Sequence, residues 1–266
     1  MLTSTVYELL DDTGRHALAG VLGDRPDTAM VVYALTRGAC RAYARGKPDR
    51  PLAAVVEIAG LPGEPVAYGA DMQEMWTLLA GLDGWRCVLV GVEDAPVLGA
   101  RIEEASGGPV RYYRDIGLVL TRPAARFPHP AVRRLTKADV RLLEDAPHEL
   151  MAAGYATPAA LLADGYVAGA IVEGQKPGAL SLVATAQAHG LVGRYAEVGV
   201  HTLPAWRRQG LGVAVASLVA QCVQDDGCVP VWSAGHDNAG SLRIAEMVGF
   251  EQAFHRCYVI KVLPEL

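Results

Sequence analysis

The chain has 266 residues, of which 51% are hydrophobic and 20% charged, with a formal net charge of -5. That composition describes an ordinary globular protein and excludes long disorder and any global attraction to nucleic acid or anionic membrane. The opening MLTSTVYELLDDTGRH has neither a basic nor a continuous apolar region, and no later stretch reaches the roughly 18 uninterrupted apolar residues of a membrane span, so a cytoplasmic protein is expected.

In chain order, PLAAVVEIAG, WRCVLVGV and YYRDIGLVL read as strands, and residues 71–82 and 96–105 carry helical spacing. The stretch LTRPAARFPHPAVRRL holds three prolines between apolar segments. It is the expected linker between residues 1–125, an α/β domain, and residues 130–266. After it, AVRRLTKADVRLLEDA predicts a short strand and a helix capped by Thr136, with Asp139 placed for a capping box. YVAGAIVEG and ALSLVATAQ, joined through Gln175 to Gly178, suggest a hairpin, and RYAEVGVHT is a further strand. The five cysteines, at 40, 87, 222, 228 and 257, show no C-x-x-C spacing and are expected as buried free thiols, without disulfide or metal.

The informative stretch is RRQGLGVAVASLV, Arg207 to Val219. A strand and a turn precede it and a helix ending near Gly227 follows, so Gly210 and Gly212 stand at a helix N-terminus. There the first amides lack partners and the dipole is positive, which favours phosphate; missing side chains at the glycines let oxygens approach, and Arg207 or Arg208 adds charge. The Walker A and Rossmann patterns both fail, the first for want of G-K-[ST] and the second because Val215 stands where Gly or Ala is needed. A glycine pair serving only a tight turn is the plain structural alternative.

Arg207-x-x-Gly210-x-Gly212 resembles the [Q/R]-x-x-G-x-[G/A] element of the GNAT N-acyltransferase superfamily. YAEVGVHTLPAWRRQGLG is similar to its strand-to-helix motif, VPVWSAGHDNAGSLRIAEMVGF to its next strand, asparagine loop and helix, and VRRLTKADVRLLED to its first strand and helix. The resemblance covers the second half of the chain. It implies a mixed, mostly antiparallel twisted sheet flanked by helices, preceded by a smaller α/β domain of degenerate GNAT-like character. The two-domain plan loosely resembles glycine N-acyltransferase-like proteins, with acceptor specificity expected between the halves.

The implied cosubstrate is acetyl-CoA or another acyl-CoA. Its pyrophosphate would lie on the amides of Arg208, Gln209, Gly210, Leu211 and Gly212, with Arg207 at the rim. Its pantetheine arm would run along Val200, His201 and Thr202, and Asn238 would reach it or cap the following helix. Glu197 is placed much as the base glutamate of the superfamily's histone acetyltransferases, one residue closer to the glycines, and shares a strand face with Gly199 and His201. A solvated surface glutamate is the alternative. Ala245 stands where many members carry a tyrosine acid; Tyr258, His201 and His236 are weak substitutes. The expected function is acetyl transfer to the primary amine of a small molecule or protein by direct attack, since no Cys or Ser sits in a nucleophile motif. A catalytically silent acyl-CoA-binding or sensing module is the alternative.

Overall fold

The computed structural model of the chain describes residues 8–151, 157–174, 180–189 and 193–262. Its described residues divide into two compact units: those within 1–24, 31–116 and 254–266 form unit 1, and those within 25–30 and 117–253 form unit 2. Among the described residues no helix is long and apolar enough to cross a membrane.

Unit 1 opens with β1 (Glu8–Leu9), α1 (Asp12–Leu22) and most of α2 (Ala29–Arg37), followed by β2 (Cys40–Lys47), β3 (Arg50–Ile58) and β4 (Val66–Gly69). Then come α3 (Met72–Ala80), β5 (Cys87–Gly91), α4 (Ala95–Ser106) and the first residues of β6 (Val110–Val119). The strands β1 to β4 pair antiparallel in sequence order, whereas β4 and β5 are parallel and meet at one register pair, Val66 with Leu89. The core lies between α3, α4 and the sheet, around Met75, Leu78, Leu79, Trp85, Val88 and Leu98.

Unit 2 runs β7 (Val132–Arg134), a 3-10 turn (Lys137–Asp139), α5 (Val140–Glu144), a second 3-10 turn (His148–Leu150) and α6 (Pro158–Asp164). It continues through β8 (Tyr166–Glu173), β9 (Leu180–His189), β10 (Tyr195–Thr202), α7 (Leu211–Asp225), β11 (Val229–Gly235), α8 (Ala239–Val248) and the start of β12 (Glu251–Lys261). Strand order is β6-β11-β10-β9-β8-β7; β10 and β11 are parallel, and β10 with β9, β9 with β8 and β8 with β7 are antiparallel. The expected capping box is present: the Thr136 N–H and hydroxyl both donate to Asp139 Oδ2, at 2.8 and 3.2 Å, and Arg133 grips the same carboxylate with two nitrogens. That guanidinium holds the Asp139 pKa down at about 2. Helix α7 is apolar nearly all round, and Leu211, Val213, Val215, Val219 and Val223 are buried.

The two units repeat one order of elements: strand, two helices, three strands, helix, strand, helix, strand. The expected boundary at 125–130 is corrected. The chain changes unit within β6, at Ile116/Gly117, and again within β12, whose Arg256 to Ile260 pair antiparallel with β5. The last strand of the second repeat thus fills the place beside β5, and Cys257 and Val259 enter the unit 1 core. Nor is the proline-rich stretch a free linker. Gln224 accepts from the Ala124 N–H and donates to the Arg122 carbonyl, Ser217 Oγ donates to the Ala125 carbonyl, and Ala125 N–H donates to Val248 O. Prolines lack the amide that a sheet would use, so the segment stays extended and is tied down by α7 side chains instead. The expected turn at Gln175 to Gly178 falls outside the described residues, although β8 and β9 pair as a hairpin requires. All five cysteines are free, but only Cys87 and Cys257 are buried; Cys40, Cys222 and Cys228 are half-buried. Burial pushes the Cys40 and Cys87 thiols up to about 11, which leaves them unreactive at neutral pH.

Candidate functional site

The site is built where β10 and β11 part. Glu197 to Thr202 pair along their whole length with β9, but pairing with β11 covers only Tyr195, Ala196 and Glu197, the last opposite Val231. The N–H of Val229 donates to Arg194 O, and the N–H of Leu203 donates to Val183 O on the other side. Counting by twos from these bonds, the backbone groups of Glu197, Gly199 and His201 face β9, and those of Val198, Val200 and Thr202 face the β11 side. Arg207 Nε donates to Thr202 O at 3.1 Å. Val200 therefore presents its N–H and C=O to the open side of the fork, a short unpaired edge of the kind an extended amide chain can join.

Side chains alternate across the same strand. Ala196 and Val198 are buried beneath α7, and Thr202 Oγ1 would lie 3.1 Å from a Cβ at Gly212. Glu197, Gly199 and His201 take the opposite face with their β9 register partners, and there Thr185 Oγ1 and Gln187 Nε2 both donate to the Leu150 carbonyl, at 2.7 and 2.6 Å. These two buried polar residues fix the 3-10 turn His148–Leu150 beside β10, which sets Glu149 Oε1 3.7 Å from His201 Nε2. That nitrogen is buried and has no hydrogen-bond partner among the described residues. Glu197 is half-buried and its Oε1 accepts from Ser233 Oγ at 2.6 Å. Ser233, on β11, was not singled out from sequence: a serine in a strand carries no signal until the partner strand is known.

At the mouth of the fork, Pro204–Trp206 form a 3-10 turn, and the chain enters α7 through Arg208 at φ 65° and Gly210 at φ 80°. Two left-handed residues within three positions turn successive amides toward one side, the geometry of an anion-binding nest. A Cβ at Gly210 would meet no atom within 4 Å, so the space above this turn is open; one at Gly212 would crowd Ile244 Cδ1 at 3.0 Å. Gly212 thus serves close packing of α7 on α8, and Gly210 serves the left-handed turn. Arg207 folds back on the strand end, and Gln209 reaches the Ala205 carbonyl at 3.4 Å; Arg208, Gln209 and Gly210 are exposed. Open space, exposed amides and a helix N-terminus suit a pyrophosphate.

Asn238 is the N-cap of α8, its Oδ1 accepting from Ser241 N at 3.1 Å. Ala245 is fully buried in α8 and cannot present a group to solvent. Tyr258 lies in unit 1, where burial pushes its hydroxyl pKa far up, and His236 is exposed in the loop after β11.

The corresponding helix of unit 1 is different. Asp71 caps α3, its Oδ1 accepting from Gln73 N and Glu74 N at 3.0 and 3.1 Å, and Glu74 adds a second carboxylate in the first turn. The amides that would receive a phosphate are already satisfied by an anion of the chain itself.

Residues 169–259 match the family model described as GNAT acetyltransferase, a segment that holds β10, the glycine turn, β11 and α8. No curated protein matches. Among solved structures, a GCN5-related N-acetyltransferase-like protein from Streptococcus suis superposes with a TM-score of 0.63 at 18% identity, covering 93% of this chain and 98% of its own. A GCN5-related N-acetyltransferase from Sphaerobacter thermophilus gives 0.60 at 14% identity, covering 98% and 96%. A tandem GNAT protein from the clavulanic acid biosynthesis pathway gives 0.56 at 14% identity, covering 98% and 99%. At such identities the structures speak for the fold, and they do so over both units. The family match thus falls on the fork and its glycine turn in unit 2, and the solved structures share the fold of both units.

Proposed function

We propose that unit 2 is an acyl-CoA-dependent N-acyltransferase that moves acetyl from acetyl-CoA to a primary amine. The observation that carries this reading is the fork: a strand that loses its β11 partner after Glu197 and ends in an open, left-handed turn at a helix N-terminus. The pyrophosphate would sit on the amides from Arg208 to Gly212, and the pantetheine amides would pair with the free backbone edge at Val200 and along Thr202. Bound there, acetyl-CoA supplies an activated acyl group. The Val200 N–H is placed to donate to an acyl oxygen, a hydrogen bond that strengthens as negative charge grows on that oxygen.

An amine is protonated at neutral pH and has no lone pair for attack until a proton leaves. Glu197 stands on the face of β10 opposite α7, and one of its carboxylate oxygens is engaged by Ser233 while the other is available to take that proton. His201, four residues along the same face, is the next candidate. The buried Ala245 means that no side chain at that position protonates the leaving thiolate; a thiol pKa near roughly 8.5 makes that departure feasible without an acid. The same alanine is the specific observation behind the second reading, a silent acyl-CoA-binding module. The two are separated by measuring thiol release and acetylated product over a panel of amines alongside CoA binding: binding without release in every case favours the module. The amine class, small molecule or protein lysine, is settled by mass spectrometry of a cell extract incubated with protein and acetyl-CoA.

Unit 1 is read as a degenerate copy of the same fold without a cofactor site, because the Asp71 carboxylate takes the α3 amides that a phosphate would need.

A further inference from the structure

Ser233 is a half-buried polar residue of β11, two positions beyond Val231, where pairing with β10 ends. Residues two apart share a face, so Ser233 and Glu197 stand on the same side of the sheet across the point where the strands diverge. Their hydrogen bond, 2.6 Å from Ser233 Oγ to Glu197 Oε1, spans that divergence. A glutamate at this position has three side-chain torsions and a half-exposed carboxylate, and without a partner it would sample several rotamers. The serine hydroxyl donates its one hydrogen bond to Oε1, which restrains the carboxylate plane and leaves the lone pairs of Oε2 outside that bond.

We infer that Ser233 is a positioning residue for Glu197: it acts on the reaction only by holding the base in the one orientation from which Oε2 reaches the amine. The inference rests on the reading of Glu197 as the base. In the step itself, the ammonium N–H bond breaks, its proton passes to Oε2 and its electron pair stays on nitrogen; the Ser233 proton remains on Oγ throughout.

The test compares Ser233→Ala, Ser233→Thr, Glu197→Gln and the double variant Ser233→Ala/Glu197→Gln in the full chain, with the amine found by the panel. Ser233→Ala is expected to lower kcat about tenfold, the usual loss for a hydrogen bond to a charged group, while KM for acetyl-CoA stays within about twofold. Ser233→Thr, which keeps the hydroxyl, is expected to recover most of the rate. In the Glu197→Gln background Ser233→Ala is expected to cause no further loss, because the group it positions is gone. Equal losses in both backgrounds, or an unchanged kcat in Ser233→Ala with Glu197→Gln slow, overturn the positioning role alone. Full activity in Glu197→Gln overturns the reading of the base instead. A readout free of turnover is the side-chain carboxyl carbon resonance of Glu197, assigned by its disappearance in Glu197→Gln. It is expected to move in Ser233→Ala and return in Ser233→Thr, and a resonance unmoved by the loss of the hydroxyl contradicts the inference.

Discussion

Replacing Gly210 with valine separates the two uses of that residue. The native φ of 80° lies in the left-handed region, where a non-glycine residue costs roughly 1–2 kcal/mol and a β-branched one sits at the upper end. No atom lies within 4 Å of the added Cβ, so the unliganded protein meets backbone strain but no clash. The expected fall in melting temperature is thus only a few degrees, about 2–4 °C per kcal/mol for a chain of this size. CoA meets a different obstacle, since the valine fills the space above the Arg208–Gly212 amides. Loss of one charge-assisted hydrogen bond is worth about 1.5–3 kcal/mol, or roughly 10- to 100-fold in Kd. Calorimetric titration of the folded variant with CoA, and in parallel with pantetheine, which lacks the pyrophosphate, reads the two contributions apart. CoA should weaken by that factor and pantetheine should not. Unchanged CoA affinity in a variant still folded by circular dichroism, or an equal loss for both ligands, refutes the cradle.

Two further outcomes follow from individual residues. Because the Asp71 carboxylate already takes the free amides of the unit 1 helix, calorimetry should give one CoA site per chain; a second site of similar affinity would contradict the reading of unit 1. The Asp139 pKa lies below its unfolded value because Arg133 and the Thr136 amide bind the ionised carboxylate, so its contribution is complete above about pH 4 and disappears as pH falls toward about 2. Asp139→Asn should therefore cost about 1–2 kcal/mol at pH 7 and progressively less in acid, read by urea unfolding at several pH values; a difference that stays constant from pH 7 to pH 2 would show that the ion pair contributes nothing.

The strand and the glycine turn of the site were legible in the residues because their signals are local, whereas the parting of β10 from β11 needed the register. Period-2 alternation in RYAEVGVHT marks the strand, and the two glycines before an apolar run mark the helix entry; the Thr136 cap with Asp139 is equally local. The exchanged strands were not legible. EQAFHRCYVIK alternates like any strand, but nothing in it says that Cys257 and Val259 pack under α3 and α4 rather than against α7, because pairing partners are set by tertiary competition. For the same reason the prolines at 123, 128 and 130 suggested a linker, when the boundaries lie inside β6 and β12 and Gln224 and Ser217 hold the proline segment. Helices α1 and α2 and strands β2 and β4 also went unassigned in the sequence; the short β4 has only four residues, too few to show a period. Ser233 became visible only with the register of β11 against β10.

The central claim is that a carboxylate on β10 makes unit 2 an enzyme and not a binder, and Glu197→Gln tests it most directly. The substitution keeps shape and removes the base, so thiol release from acetyl-CoA in the presence of the accepting amine should fall by roughly 10²- to 10⁴-fold at neutral pH. CoA affinity should stay the same, since on this reading the phosphates would sit at the glycine turn and not at Glu197. The deficit should narrow as pH rises toward the amine's own pKa, where free amine exists without help from the protein. A variant that turns over at the normal rate at pH 7 contradicts the claim and moves the base elsewhere, with His201 the first residue to examine.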